Sequence, residues 1–427
     1  MTPHTPLMAL FGAIALPVIL IGLYWPIALH AADTADANAN TPLQPGYLVK
    51  KIESRYSDAF DKGLPPTPSP ENGGDLGELD RQAVSDSKEP DKKREIVIVP
   101  IPSLNPTLGW GLAVPLMAIY KPASESRDSP PWTTGIAGSY SENGTWAAAA
   151  FHKMNLKNDT WRMLMAAGYA DVNYDFFGVG SEAGDTNQSI PLNQQVTGGL
   201  FEVLRETFTD WYVGLRLLYG RTDVRLDTDL PQLPPGSPPL PEILLSSKLA
   251  AVGLRVQYDS RDNQFYPTEG SLFDVKVDQF TDTLGSDFNY TSNSLAYNRY
   301  LGLGDRQVLA LRGITAFSSG DAPFFALARI GGTDLRGYIS GQYIDRMMFA
   351  VQGEYRRGLT ERFGVVVFAG VGEVAPDVGD LNSDNLLPSV GAGIRYRISK
   401  QHPINFRVDI ARGKDDTAIY VGVGEAF

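Results

Sequence analysis

From Glu95 onward, apolar and polar side chains alternate with a period of two. In SKLAAVGLRVQYDSRD, Val252, Leu254, Val256 and Tyr258 alternate with Gly253, Arg255, Gln257 and Asp259. In SLFDVKVDQF, Phe273, Val275 and Val277 oppose Asp274, Lys276 and Asp278. Ile394, Tyr396 and Ile398 alternate with Arg395 and Arg397, and Ile404, Phe406, Val408 and Ile410 with Asn405, Arg407 and Asp409. Such alternation predicts strands with one apolar face. About sixteen of them fit between 95–104 and 417–427, which gives an all-β chain. A soluble sandwich would turn the apolar faces toward a core. A transmembrane antiparallel barrel would turn them toward lipid and the polar faces toward a lumen.

The connections separate these two architectures. The longest, 172–192, 227–246, 319–345 and 374–387, all fall at one end of the strands if the first strand rises from the other. The opposite end has mostly tight turns, such as Lys157-Asn158-Asp159, Gly302 to Asp305 and Ser399 to Pro403, with 121–131 and 260–270 as exceptions. Long loops outside and short turns inside are the asymmetry of outer-membrane barrels. Phe427, read as an outward-facing residue of the last strand, then has the place of a C-terminal insertion signal. The expected fold is an outer-membrane barrel of about sixteen strands over 95–427.

The segments before the barrel differ in kind. Residues 1–31 hold an apolar run from Leu7 to Leu29 followed by Ala31-Ala32, which reads as a signal peptide with a small-residue cleavage site. A membrane anchor is the competing reading. Residues 32–94 are rich in Pro, Gly and acids and read as a periplasmic linker that buries no core. Within it Leu48, Val49, Ile52, Tyr56 and Phe60 recur at helical spacing, so 47–60 forms either a short amphipathic helix or a solvated turn.

Composition removes several function classes. The chain has 427 residues, a formal net charge of −12 and no cysteine, so it has no disulfide and no thiolate chemistry. The acidic balance disfavours nucleic acid. Of four histidines, only His152 and His402 lie beyond the N-terminal segment, too few for a histidine metal centre. No G-x-S-x-G elbow accompanies them, and the expected protein is a non-enzyme without cofactor or metal. Asp377, Asp380 and Asp384 read as surface acids rather than a calcium site.

At 330–338 the sequence is IGGTDLRGY. Gly331, Gly332, Arg336, Gly337 and Tyr338 resemble the lumen-loop motif of the BamA/TamA superfamily, the bacterial surface antigen barrels. YDSRDNQFYPTEGS at 258–271 and NPTLGWGLAVPL near 105–116 are similar to a periplasmic turn and an opening hairpin of the same family. The resemblance implies a barrel that inserts or translocates outer-membrane proteins. It also implies that the loop folds back into the lumen, and that assembly machinery or a client protein is a partner beside outer-membrane lipid. Two departures stand out. Residues 33–94 are too few and too polar for a POTRA module, so the chain resembles members without one. Where the family offers Phe-x-Asp-x-Gly to the loop Arg, this chain has Phe368, Gly370 and Gly372.

With the family carboxylate missing, Glu354 is the expected partner of Arg336, since Gln352, Glu354 and Arg356 share the lumen face. Asp409 and Asp259 are the other candidates. Arg336 either takes part in transport or pins the loop as a lid. Pro100 and Pro102 cannot donate ladder hydrogen bonds, so the first strand forms either a weak seam with the last or a simple bulge. The alternative function is a passive pore, surface antigen or lipid-handling barrel with no assembly role.

Overall fold

The computed structural model describes residues 94–98, 100–122, 131–226, 246–263, 265–398, 403–414 and 417–427. The expected signal peptide, linker and 47–60 helix lie outside these residues, as does His402. Seventeen hydrogen-bonded segments form one sheet that closes on itself. They make sixteen staves, because the first is split at Pro100. In chain order these are β1 (Arg94–Ile98 with Ile101–Asn105), β2 (Gly109–Tyr120), β3 (Trp132–Ser141), β4 (Trp146–Leu156), β5 (Trp161–Phe176), β6 (Ile190–Phe208), β7 (Trp211–Leu226) and β8 (Ser246–Asp259). They continue as β9 (Gly270–Phe280), β10 (Tyr290–Gly304), β11 (Gln307–Gly320), β12 (Met347–Gly358), β13 (Phe363–Ala375), β14 (Leu387–Arg397), β15 (Asn405–Arg412) and β16 (Thr417–Val423). Every neighbouring pair is antiparallel. The sixteen strands read from the alternation are all present.

The period-two pattern sorts side chains by face. Along β7, Val213, Leu215, Leu217 and Tyr219 point outward, with Leu215 at 52% exposure, while Tyr212, Arg216 and Leu218 are buried. The exposed apolar band suits lipid. Among the described residues no helix is long and apolar enough to cross a membrane, and a barrel crosses with strands instead. The turns at one end are tight: Lys157, Asn158, Asp159, Asp210 and Arg306 all take positive φ. The long connections 177–189, 321–346 and 376–386 leave from the other end.

Two expectations need correction. The polar faces of the strands were expected to line the lumen. Instead, the inner faces of β2 to β8 are largely apolar. Met117, Phe151, Leu164, Leu200 and Leu218 join Phe280 and Tyr290 in a buried cluster. The strands here are flanked by apolar side chains on both faces, as in a sheet covered twice. A lumenal cavity of about 230 Å³ is bordered by Glu202, Arg216, Asp278 and Arg329.

The second correction concerns Phe427, expected to face outward in the last strand. The strand stops at Val423, and Gly424 takes a φ of 88°, which favours glycine. The chain then turns inward. Glu425 reaches Arg395 at 2.7 Å, and the Phe427 carbonyl accepts from Arg356 at 2.8 Å. Buried arginines that need acceptors draw the segment in.

Candidate functional site

The 321–346 connection between β11 and β12 does not stay at the rim. A short ladder, Ala328–Arg329 against Ile344–Asp345, forms its neck. Beyond the neck the chain descends into the lumen. Gly331, Gly332 and Gly337 all have positive φ. A Cβ at Gly331 would lie 2.6 Å from the Ser340 backbone, and one at Gly337 would lie 2.8 Å from the Gly413 backbone. Glycine is therefore required by both conformation and space.

Arg336 at the loop tip is completely buried. Its Nη2 donates to Glu354 on β12 at 2.6 Å and its Nη1 to Asp409 on β15 at 2.8 Å. The guanidinium carbon sits 3.4 Å from the ring centroid of Phe368 on β13. The Arg336 carbonyl accepts from the Ser389 hydroxyl on β14. One loop residue thus touches four consecutive staves. The pair with Glu354 is present in the geometry, and Asp409 is a second acceptor; Asp259 instead pairs with Arg261 at 2.8 Å.

The absence of an acid at position 370 has a steric reason. A Cβ at Gly370 would fall 2.6 Å from Gln352 Cγ and 2.9 Å from Leu335 Cδ1. Leu335 of the loop occupies that space, fully buried with Ile330 and Tyr343. The negative charge is supplied from β12 and β15 instead.

Sequence reasoning left several partners unnamed. Glu354 also accepts from Arg356 at 2.7 Å, and Asp409 from Arg395 at 2.5 Å. Arg407 stands 3.7 Å from Asp409. The four arginines 336, 356, 395 and 407 interleave with Glu354, Asp409 and Glu425, so each buried charge has an opposite neighbour. The inward positions of Glu354, Arg356, Arg395, Arg407 and Asp409 on β12, β14 and β15 follow from alternation, which was the available signal.

The loop also grips both margins of the β16–β1 junction. Gly337 N donates to Tyr420 Oη on β16 at 2.9 Å, and Ser340 N donates to Thr107 Oγ1 just after β1 at 2.9 Å. Tyr338 Oη donates to the Pro388 carbonyl at 2.6 Å and accepts from Lys414 N at 3.0 Å. The junction itself is thin. Its register holds one pair among the described residues, Val421 with Leu104, whereas β5 and β6 pair along the whole 16-residue length of β5. Pro100 interrupts β1, and Pro102 lies opposite Leu112 without an N–H to give.

Other candidate positions sit apart. His152 is on the outward face, its Nδ1 2.7 Å from Thr134 Oγ1. Asp377 accepts from Val378 N at 2.6 Å and so caps a turn.

Comparison with known proteins places this geometry. The Omp85 superfamily domain matches residues 131–427. BamA from Haemophilus ducreyi lacking POTRA domains 1–3 is a structural relative, with 14% identity, a TM-score of 0.55, and coverage of 77% of this chain and 70% of that one. CdiB from Acinetobacter baumannii has 13% identity, a TM-score of 0.51, and coverage of 78% and 60%. CdiB from Escherichia coli has 12% identity, a TM-score of 0.52, and coverage of 78% and 63%. This chain therefore spans less than two thirds of the length of either CdiB, and at these identities the likeness is one of fold. No curated protein sequence matches. A lumen-plugging loop with a buried Arg, a sixteen-stave closed barrel and a domain match over most of its length make this chain a member of the Omp85 superfamily.

Proposed function

We propose that this protein is a bacterial outer-membrane barrel that inserts or translocates other envelope proteins through its β16–β1 seam, without enzymatic chemistry of its own. The observation that carries the reading is that, among the described residues, one register pair, Val421 with Leu104, closes the cylinder. Backbone groups left unpaired against hydrocarbon cost several kcal/mol each. A seam of this kind is poised to accept an extended client strand, which would supply the missing bonds. Pro100 and Pro102 keep β1 from completing the ladder, and in this reading they tune the seam. The packed lumen favours the seam over the alternative of a passive central pore. Phe427 is the proposed recognition element for the cell's own insertion machinery. Assembly machinery or a client protein is the proposed partner.

The chain has no cysteine, so a disulfide lock is direct. Leu104→Cys with Val421→Cys, oxidised in proteoliposomes, is expected to abolish accelerated folding of an outer-membrane client, and reductant is expected to restore it. Full activity in the locked barrel would falsify the seam reading. Arg336 is proposed to act by holding the loop in the lumen.

A further inference from the structure

The wall from β2 to β7 turns a concave surface outward. It is an open depression of about 1410 Å³, and a second open hollow of about 500 Å³ continues it along Leu116, Ile136, Ala150 and Ala167. Its floor is made of small side chains. In the register row Leu116, Ile136, Ala150, Ala167, Gly199, Tyr219, three consecutive positions carry at most a methyl group. The flanks are apolar and exposed, with Leu217 at 51% and Tyr219 at 60%. Behind the floor, the packed cluster around Phe151 and Leu200 keeps the wall from relaxing inward. The polar groups toward the periplasmic end, Thr134 and His152, bond to each other at 2.7 Å.

At the long-loop end of this surface the chemistry changes. Arg221 on β7 and Lys248 on β8 are paired directly across the strands, and both line the concavity. Among the described residues neither makes an ion pair. Like charges in directly opposite positions are destabilising unless an anion joins them. Both lie in the same register row as Tyr169, whose ring packs at a tilt against Trp146, with centroids 4.9 Å apart. Aromatic rings at this height mark the membrane–water interface. The cations therefore stand at headgroup level above an apolar recess.

We propose that this face binds a phosphorylated glycolipid with more than two acyl chains, its phosphate between Arg221 and Lys248 and its chains laid in the concavity. The recess spans six strands, about 24 Å at the usual strand spacing. That breadth exceeds what a two-chain phospholipid fills. The inference rests on the outer-membrane placement proposed above, with the long loops facing outward.

The test uses the full chain in phosphatidylcholine nanodiscs doped with either hexa-acyl diphosphoryl lipid A or phosphatidylglycerol. Lipid retained through a detergent wash is counted by native mass spectrometry. Lipid A is expected to stay bound and phosphatidylglycerol to wash away. The double variant Arg221→Ala, Lys248→Ala is expected to retain about tenfold less lipid A, the equivalent of one charge-assisted hydrogen bond. Ala167→Phe, which fills the floor and leaves the cations in place, is expected to lower retention as well. An unchanged heat-modified band on gels serves as the fold control for both variants. Equal retention of the two lipids, retention of neither, or retention indifferent to both variants overturns the proposal. Co-fractionation of the protein with outer-membrane markers is scored separately, so a failure of the placement is read apart from a failure of the lipid site.

Discussion

Arg336 shows how a buried charge can be held by several weak claims rather than one. Glu354 and Asp409 divide its hydrogen bonds, and Phe368 covers one face of the guanidinium. Removing it takes one charge-assisted hydrogen bond from each of two buried carboxylates, which keep Arg356, Arg395 and Arg407 as neighbours, at a cost of about 1.5–3 kcal/mol for each bond lost. Arg336→Ala is therefore expected to lower the temperature at which the barrel loses its folded gel mobility and to expose the 321–346 loop to protease. Glu354→Gln should do less, because Asp409 remains, and the double variant with Asp409→Asn should exceed the Arg336→Ala effect, because it leaves four buried arginines with Glu425 as their remaining acid. Position 370 offers a sharper contrast. Gly370→Asp restores the family carboxylate but drives a side chain into Leu335 and Gln352. It is expected to destabilise the barrel by about 1–3 kcal/mol through overpacking. Leu335→Ala added to Gly370→Asp should recover part of that loss, measured by the same melting assay.

Among the elements, the strands differ sharply in how well they are held. β6 is paired along nearly all its 19 residues, while β16 has 7 residues and, among the described residues, one register pair with β1. Amide hydrogens of β16 that face β1 are expected to exchange far faster than those of β6, since unpaired ladder groups open without breaking anything. Equal protection of the two strands would argue for a seam tighter than its register. The strands themselves were legible in the sequence because a period of two leaves its mark whichever side the apolar face takes. What alternation did not disclose was the environment of the other face. Met117, Phe151 and Leu200 belong to a buried apolar cluster that period-two alternation by itself does not predict. The loop site was half legible. The glycines and Arg336 stood out as a motif, and Glu354 followed from its face. Asp409, Ser389 and Tyr420 are far away in sequence and meet the loop only after the barrel closes. The inward turn at Gly424 left no periodic signal either.

For the molecule as a whole, the packed interior makes a prediction about permeability. Planar bilayers with the purified protein should show low basal conductance, and deletion of 324–342 should raise it, because the loop packs Ile330, Leu335 and Tyr338 against the inner wall and buries Arg336 there. A large steady conductance in the unaltered protein would sink this view of a plugged barrel. The loop's bonds to Tyr420 and Thr107 bear on the same behaviour. Tyr420→Phe leaves the Gly337 amide buried without an acceptor, a loss of about 1–3 kcal/mol. Disulfide formation in the Leu104→Cys, Val421→Cys pair should then be slower, because the two edges spend more time apart. Arg336 works like the hub of a partial wheel, with spokes to four neighbouring staves. The arc they span cannot widen while the hub stays in place, so any expansion of the cylinder must follow a fixed sequence in which the hub lets go first and the rim parts afterwards.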